Sequence, residues 1–179
     1  SSDLGAILMN YSFNEARPAL EVFHTGDSVR AYDFLGAHLV YRNDKNGVVF
    51  RVWAPTARSV SVAGDFNNWN NEANYMYNIG YGVWEVFVEG VKEFCTYKYC
   101  IESEYGDRLM KADPYAFHAQ TRPGQASVVY DIESYSWNDS EWFNKRKENN
   151  ISSSPMNIYE IHAGSWRKYP DGNFFNYQK

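Results

Sequence analysis

Trp69 stands in the run Gly64-Asp65-Phe66-Asn67-Asn68-Trp69-Asn70, an indole with side-chain amides on either side of it. That grouping could clamp a sugar: the indole stacks on the apolar face of a pyranose while Asn68 and the neighbouring amides bond its hydroxyls. The same residues could equally form a structured turn with Trp69 folded over a sheet edge, and the residues alone leave both readings open. Other chemistry finds no pattern. His24, His38, His118 and His162 are scattered and no Cys pair stands at ligand spacing, so no metal and no cofactor are expected. There is no Gly-rich phosphate loop and no Gly-x-Ser-x-Gly elbow. Carboxylates are plentiful, but nothing in their spacing pairs two across a cleft, so no catalytic residue is assigned.

The composition narrows the partners. Lys and Arg number 17 against 22 Asp and Glu, a net charge of −5, which argues against a nucleic-acid partner. No apolar run reaches the length of about 18 residues needed to span a membrane. Nothing at the start of the sequence reads as a secretory signal. Aromatic residues make up 18% of the 179 residues, with 6 Trp, 15 Tyr and 11 Phe, a bias toward strands and toward flat binding surfaces. Cys95 and Cys100 lie on one alternating run, about 16 Å apart if extended and on opposite faces, too far to bridge. Free thiols fit a reducing, cytoplasmic setting. The Asn-x-Ser/Thr sequons at Asn10, Asn138 and Asn150 then read as accidental.

Around the Trp69 segment the pattern is of short strands. Ala37 to Arg42, Val48 to Trp53, the Val60 and Val62 stretch ending at Gly64, Val83 to Val88, Phe94 to Ile101, Arg108 to Lys111 and Ser127 to Tyr130 each read as extended. In Phe94 to Ile101 the alternation turns Cys95, Tyr97, Tyr99 and Ile101 inward and Thr96, Lys98 and Cys100 outward. Strands and turns at this spacing imply an all-β, immunoglobulin-like antiparallel β-sandwich. It is expected over residues 35–131, after a loosely patterned arm, 1–34, in which Pro18 interrupts a short helix. Residues 132–155 read as a helix, closed by Lys145-Arg146-Lys147, and a polar linker. Met156 to Ile161 then reads as a fresh strand, as though 156–179 opened a second, incomplete domain.

Several of these stretches form an ordered set. Val48-Val49-Phe50-Arg51-Val52-Trp53-Ala54-Pro55, Gly64 to Trp69, Tyr97-Lys98-Tyr99 and Lys111-Ala112-Asp113-Pro114-Tyr115-Ala116 resemble, in that order, the family 48 carbohydrate-binding module of α-glucan-active enzymes in the α-amylase superfamily. Tyr32 to His38 and Met156 to Lys168 narrow the resemblance to the N-terminal region of bacterial 1,4-α-glucan (glycogen) branching enzymes.

The resemblance implies an α-1,4-glucan partner (glycogen, amylose or malto-oligosaccharides). It implies a second partner in the enzyme's own catalytic (β/α)₈ barrel, with Met156 to Ile161 as that barrel's first strand. The family cleaves an α-1,4 linkage and rejoins the freed segment through an α-1,6 bond, using two carboxylates about 5 Å apart. These belong to later strands of a barrel of about 250 residues, so none falls in this chain and the chain alone is expected to be inactive. For sugar binding the resemblance implies Trp69 and Lys98, with Asn68 beside them. A second Trp of the family's clamp is missing, since Arg108-Leu109-Met110 stands there and Tyr105 is the only nearby aromatic. A later Asn is also missing, near Ala126 and Ser127. Bracing the barrel without binding sugar, a stand-alone glycogen-binding or scaffolding module, and the equivalent module of a debranching enzyme are the alternatives.

Overall fold

The computed structural model describes residues 16–148, 153, 155–162 and 165–174; expectations that fall on the remaining residues lie outside them. A helix, α1, covers residues 16–25. The strands follow as β1 (Gly36–Arg42), β2 (Lys45–Trp53), β3 (Ala57–Gly64), β4 (Tyr77–Gly80), β5 (Val83–Glu89), β6 (Thr96–Ser103), β7 (Arg108–Lys111), β8 (His118–Ala119) and β9 (Ser127–Val128). A second helix, α2, spans Ser140–Glu148.

The strands make two antiparallel sheets, ordered β1-β2-β5-β4 and β3-β6-β9-β8, with β7 also paired to β6. The first hairpin is tight because Asn43 and Asp44, at φ 52° and 60°, supply the two left-handed residues that a two-residue turn needs. In the second sheet β6 is the organising strand. Tyr97 to Ser103 pair with β3 on one edge, while β7 takes Tyr99 to Glu102 and β9 takes Thr96 and Tyr97 on the other.

Strict alternation fills the space between the sheets. Val48, Phe50 and Val52 from β2 meet Val60 and Val62 from β3 and Tyr97 and Tyr99 from β6, all buried. A chain with this many fully buried side chains gains about 1.5–3 kcal/mol for each large one removed from water. The two buried phenols need an acceptor, and Asp113 supplies it: Tyr97 Oη donates to its Oδ2 at 2.6 Å and Tyr99 Oη at 3.2 Å. Ser127 Oγ accepts the Asp113 N–H at 2.8 Å, which ties the Lys111-to-Ala116 stretch to β9.

The outer face of the first sheet is covered from the N-terminal side. Ala16 and Leu20 of α1 pack with Leu35, Ile79 and Val83 in a second core. Residues 16–25 are therefore a packed helix, as expected within the arm, but Pro18 does not interrupt its described part. Beside it Glu85, buried, is held by Arg51 Nε at 2.6 Å and Arg42 Nη1 at 3.0 Å.

Two strands are additions to the sequence reading. β4 was hidden because Ile79 is its single buried residue and a bulge interrupts its pairing at Asn78/Gly80. β8 has two residues, both exposed. Cys100 corrects an expectation: it faces outward by alternation yet is buried, in a small cavity that Asn71 and Tyr75 also line. Both cysteines are free thiols.

The chain divides into two compact units, 1–135 and 136–179. In the second, α2 carries its basic residues in the last turn, as expected. The strand expected over Met156 to Ile161 is not formed: residues 155–162 have no regular secondary structure and are exposed. A strand exists only through ladder partners, and among the described residues these have none.

Candidate functional site

The Trp69 loop is built from its first residue outward. Gly64 leaves β3 where its backbone passes so near β6 that a Cβ would run into the Thr96 carbonyl oxygen and the Phe66 ring. The turn Asp65–Asn67 follows, and Phe66 pins it by packing its ring 5.6 Å from that of Phe50 in the core. Asn67 is the clasp. Its Oδ1 accepts the Gly64 N–H at 3.0 Å, and its Nδ2 lies 3.0 Å from the Val62 carbonyl and 2.7 Å from Asn74 Oδ1.

Asn68 and Trp69 then both take left-handed backbone, φ 54° and 58°. Asn tolerates that region, whereas a large aromatic residue is strained there. The strain is held in place by hydrogen bonds at both ends of Trp69. Its backbone N–H donates to the Gly64 carbonyl at 2.9 Å, and its indole N–H donates to Asp65 Oδ1 at 3.2 Å. The second oxygen of Asp65 accepts from Thr96 twice, from N–H at 2.8 Å and Oγ1 at 2.7 Å. Partial burial opposes ionisation of this carboxyl. The Thr96 and Trp69 hydrogen bonds overcome that penalty and hold it below the usual carboxylate range.

The result is an indole fixed edge-on by its own N–H, with 39% of the residue exposed. Lys98 shares the outer face of β6 with Thr96, two residues on, and stands opposite Ala63 of β3. The backbone of the Asn68–Trp69 turn is tied to Gly64, one residue beyond the Ala63–Lys98 pair, so the turn and Lys98 lie at the same end of the second sheet.

Residues 34–116 match the sequence profile of Carbohydrate-binding module 48 (Isoamylase N-terminal domain). Residues 34–116 are a family 48 carbohydrate-binding module. Over 161 residues the chain is 45% identical to the 1,4-alpha-glucan branching enzyme GlgB of Bacillus cytotoxicus, covering 89% of this chain and 25% of that protein. It is 44% identical over 158 residues to GlgB of Bacillus cereus, covering 88% of this chain and 24% of that one. The chain thus spans about a quarter of the length of these relatives and is homologous to them. Among solved structures, pullulanase type I from Bacillus subtilis complexed with maltose is 28% identical over 57% of this chain and 14% of its own, with a TM-score of 0.48.

Within the module, three of the four residues picked from sequence come together and one does not. Tyr105 lies in the β6–β7 turn, beyond Ser103, while Trp69 is tied to Thr96 at the opposite end of β6. At about 3.3 Å per residue that is roughly 25 Å along the strand, and Tyr105 cannot share a short ligand with Trp69. Proximity in sequence to Arg108-Leu109-Met110 suggested it; the hairpin turn carries it away. Met110 and Arg108 are the β7 residues on the outer face, opposite Cys100 and Glu102.

Three residues escaped the sequence reading. Asp65 and Thr96 form the clasp that fixes the indole, and an acid four residues before a Trp in a turn was the available signal. Tyr75 pairs with Ser61 on the same outer face, which only the register reveals.

Proposed function

We propose that the chain is the N-terminal α-glucan-binding module of a 1,4-α-glucan branching enzyme, an enzyme that cleaves α-1,4 linkages in glucan and makes α-1,6 branches. The observation that carries the binding part is the Asp65–Thr96 clasp, which holds a partly exposed Trp69 at the end of the second sheet where Lys98 pairs with Ala63. A stacking surface that is ordered before the sugar arrives loses little entropy on binding. Homology to branching enzymes supports the parent activity. The catalytic barrel is the second partner: Met156, Ile158, Tyr159 and Ile161 are apolar and exposed, as residues awaiting a sheet would be. Free Cys95 and Cys100 support a cytoplasmic setting.

One stacked ring with few charged contacts gives weak binding, with a dissociation constant on the order of 1 mM, about −4 kcal/mol. Titrating a cyclic malto-oligosaccharide while following the Trp69 indole resonance tests the reading. Saturable shifts that vanish in Trp69→Ala are the expected result. Unchanged affinity in that variant would move the site elsewhere and favour the bracing role.

A further inference from the structure

The outer surface of the second sheet continues past Lys98, and the same register that gathers Trp69 and Lys98 sets out a stripe of side chains beyond them. Trp69 is held at the level of Gly64 by its backbone hydrogen bond, and Tyr75 is paired with Ser61, three residues back along β3. At about 3.3 Å per residue the two rings' attachment points stand about 10 Å apart. Lys98 lies between those levels, opposite Ala63, and Met110 lies opposite Cys100 beside the Tyr75 level.

The Tyr75 backbone is fixed along the edge of β3. Its neighbours on either side enter the ladder, with the Asn74 carbonyl accepting from Val62 N–H at 3.0 Å and the Met76 N–H donating to the Val60 carbonyl at 2.8 Å. Tyr75 lines a small cavity together with Ser61, Cys100, Glu102 and Arg108, and 47% of the residue is exposed. Arg108 closes the far end, its Nη1 3.2 Å from Glu72 Oε1 and its Nε 3.6 Å from Glu102 Oε2. The layout is ring, cation, ring, cation along one strand direction.

We infer that Tyr75 is a second stacking contact for the glucan, making this face a site for an α-1,4-glucan of at least three residues rather than for one or two sugars. The inference rests on the glucan reading of Trp69. Covalent bonds of about 1.5 Å make a pyranose about half as long, from one glycosidic oxygen to the next, as the gap between the two rings. A maltose unit seated on Trp69 and reaching Lys98 stops short of Tyr75, and the next residues of the chain meet it. Tyr75 thereby supplies a second aromatic ring, from the segment bridged to β3 rather than from β7.

The experiment compares maltose and maltoheptaose on the full chain by NMR titration, in the unaltered protein and in Tyr75→Ala, Tyr75→Phe and Trp69→Ala. In the unaltered protein maltose shifts the Trp69 indole signal alone, and maltoheptaose shifts the Tyr75 ring signals as well and binds about tenfold more tightly, the equivalent of 1.4 kcal/mol. Tyr75→Phe keeps that gain. Tyr75→Ala loses it while maltose affinity stays as it was. If Tyr75→Ala keeps the full length dependence, or the Tyr75 signals stay still under maltoheptaose in the unaltered chain, the second contact is wrong and the Trp69 site stands. If neither sugar binds the unaltered protein, the glucan reading itself falls and takes this inference with it. The ring-signal arm needs no variant, so a loss of folding in Tyr75→Ala leaves the test intact.

Discussion

Two aspartates in this chain respond to pH in opposite senses, because different terms dominate at each. Asp65 is partly buried, which favours its neutral form, but three donated hydrogen bonds favour the charged form more and lower its pKa. A lowered folded-state pKa adds stability above the ordinary carboxylate value of about 3.9, and that stability is lost as pH falls through the folded value. The Trp69 indole signal should therefore hold steady from neutral pH to about pH 4 and move only below it, checked by an NMR pH titration. Asp65→Asn leaves the indole one acceptor but removes the charge. It should cost about 1 kcal/mol and broaden the Trp69 signal without unfolding the sandwich. The thiols give a second test at this scale. Cys95 is partly exposed and Cys100 is buried, so a thiol reagent should label Cys95 in the folded chain and reach Cys100 only in denaturant. Outward alternation would have made Cys100 the reactive one. Sequence alternation reports which way a side chain leaves its strand, not what lies above it.

The element that decides most is β6. Its inner face carries Tyr97 and Tyr99 into the core and its outer face carries Thr96 and Lys98 to the candidate site. Both phenols end on Asp113, whose carboxyl is pushed up by burial against the hydrogen bonds from Tyr97, the Tyr115 N–H and Tyr99. Here the folded-state pKa is raised, so this group favours folding at acid pH and loses that contribution as pH rises past the ordinary carboxylate value. Asp113→Ala leaves two buried hydroxyls without their acceptor and should lower stability by about 2–4 kcal/mol. Asp113→Asn keeps an acceptor oxygen and should cost less, the gap narrowing further above pH 5; thermal melts of both across pH 3–8 check this. What the sequence allowed at this scale follows the same logic. β2, β5 and β6 were legible because apolar residues alternate over most of their length. β4 was not, because Tyr77, Asn78 and Gly80 give no alternation around Ile79, and its place is set by pairing with β5. The Trp69 loop was legible as chemistry, whereas Tyr75 became part of that surface only through its bridge to Ser61.

At the scale of the whole molecule, the sandwich satisfies its own hydrogen bonds: no buried side-chain nitrogen or oxygen among the described residues lacks a partner. The stretch Met156 to Ile161 differs, being exposed and without regular structure. Amides of Ile158 to Ile161 should exchange with solvent within minutes on dilute protein, while those of Val60 to Ala63 stay protected. Equal protection in both would join 156–161 to a folded sheet. Incubated with amylose, the chain should leave the iodine spectrum and the reducing ends unchanged, and any new α-1,6 linkage seen by NMR would place catalytic carboxylates within it. The clasp at Asp65 also settles how such a surface would tell one hexose from another. An indole has a single donor, and Trp69 commits it to Asp65 inside the protein. What remains for a ligand is the flat face of the ring, which senses whether a sugar's hydroxyls are equatorial but forms no hydrogen bond to any of them. On the proposed reading, an epimer with an axial hydroxyl on the stacked face would be turned away by shape at Trp69, and the polar identification of a hydroxyl would be left to Lys98 and the amides around it.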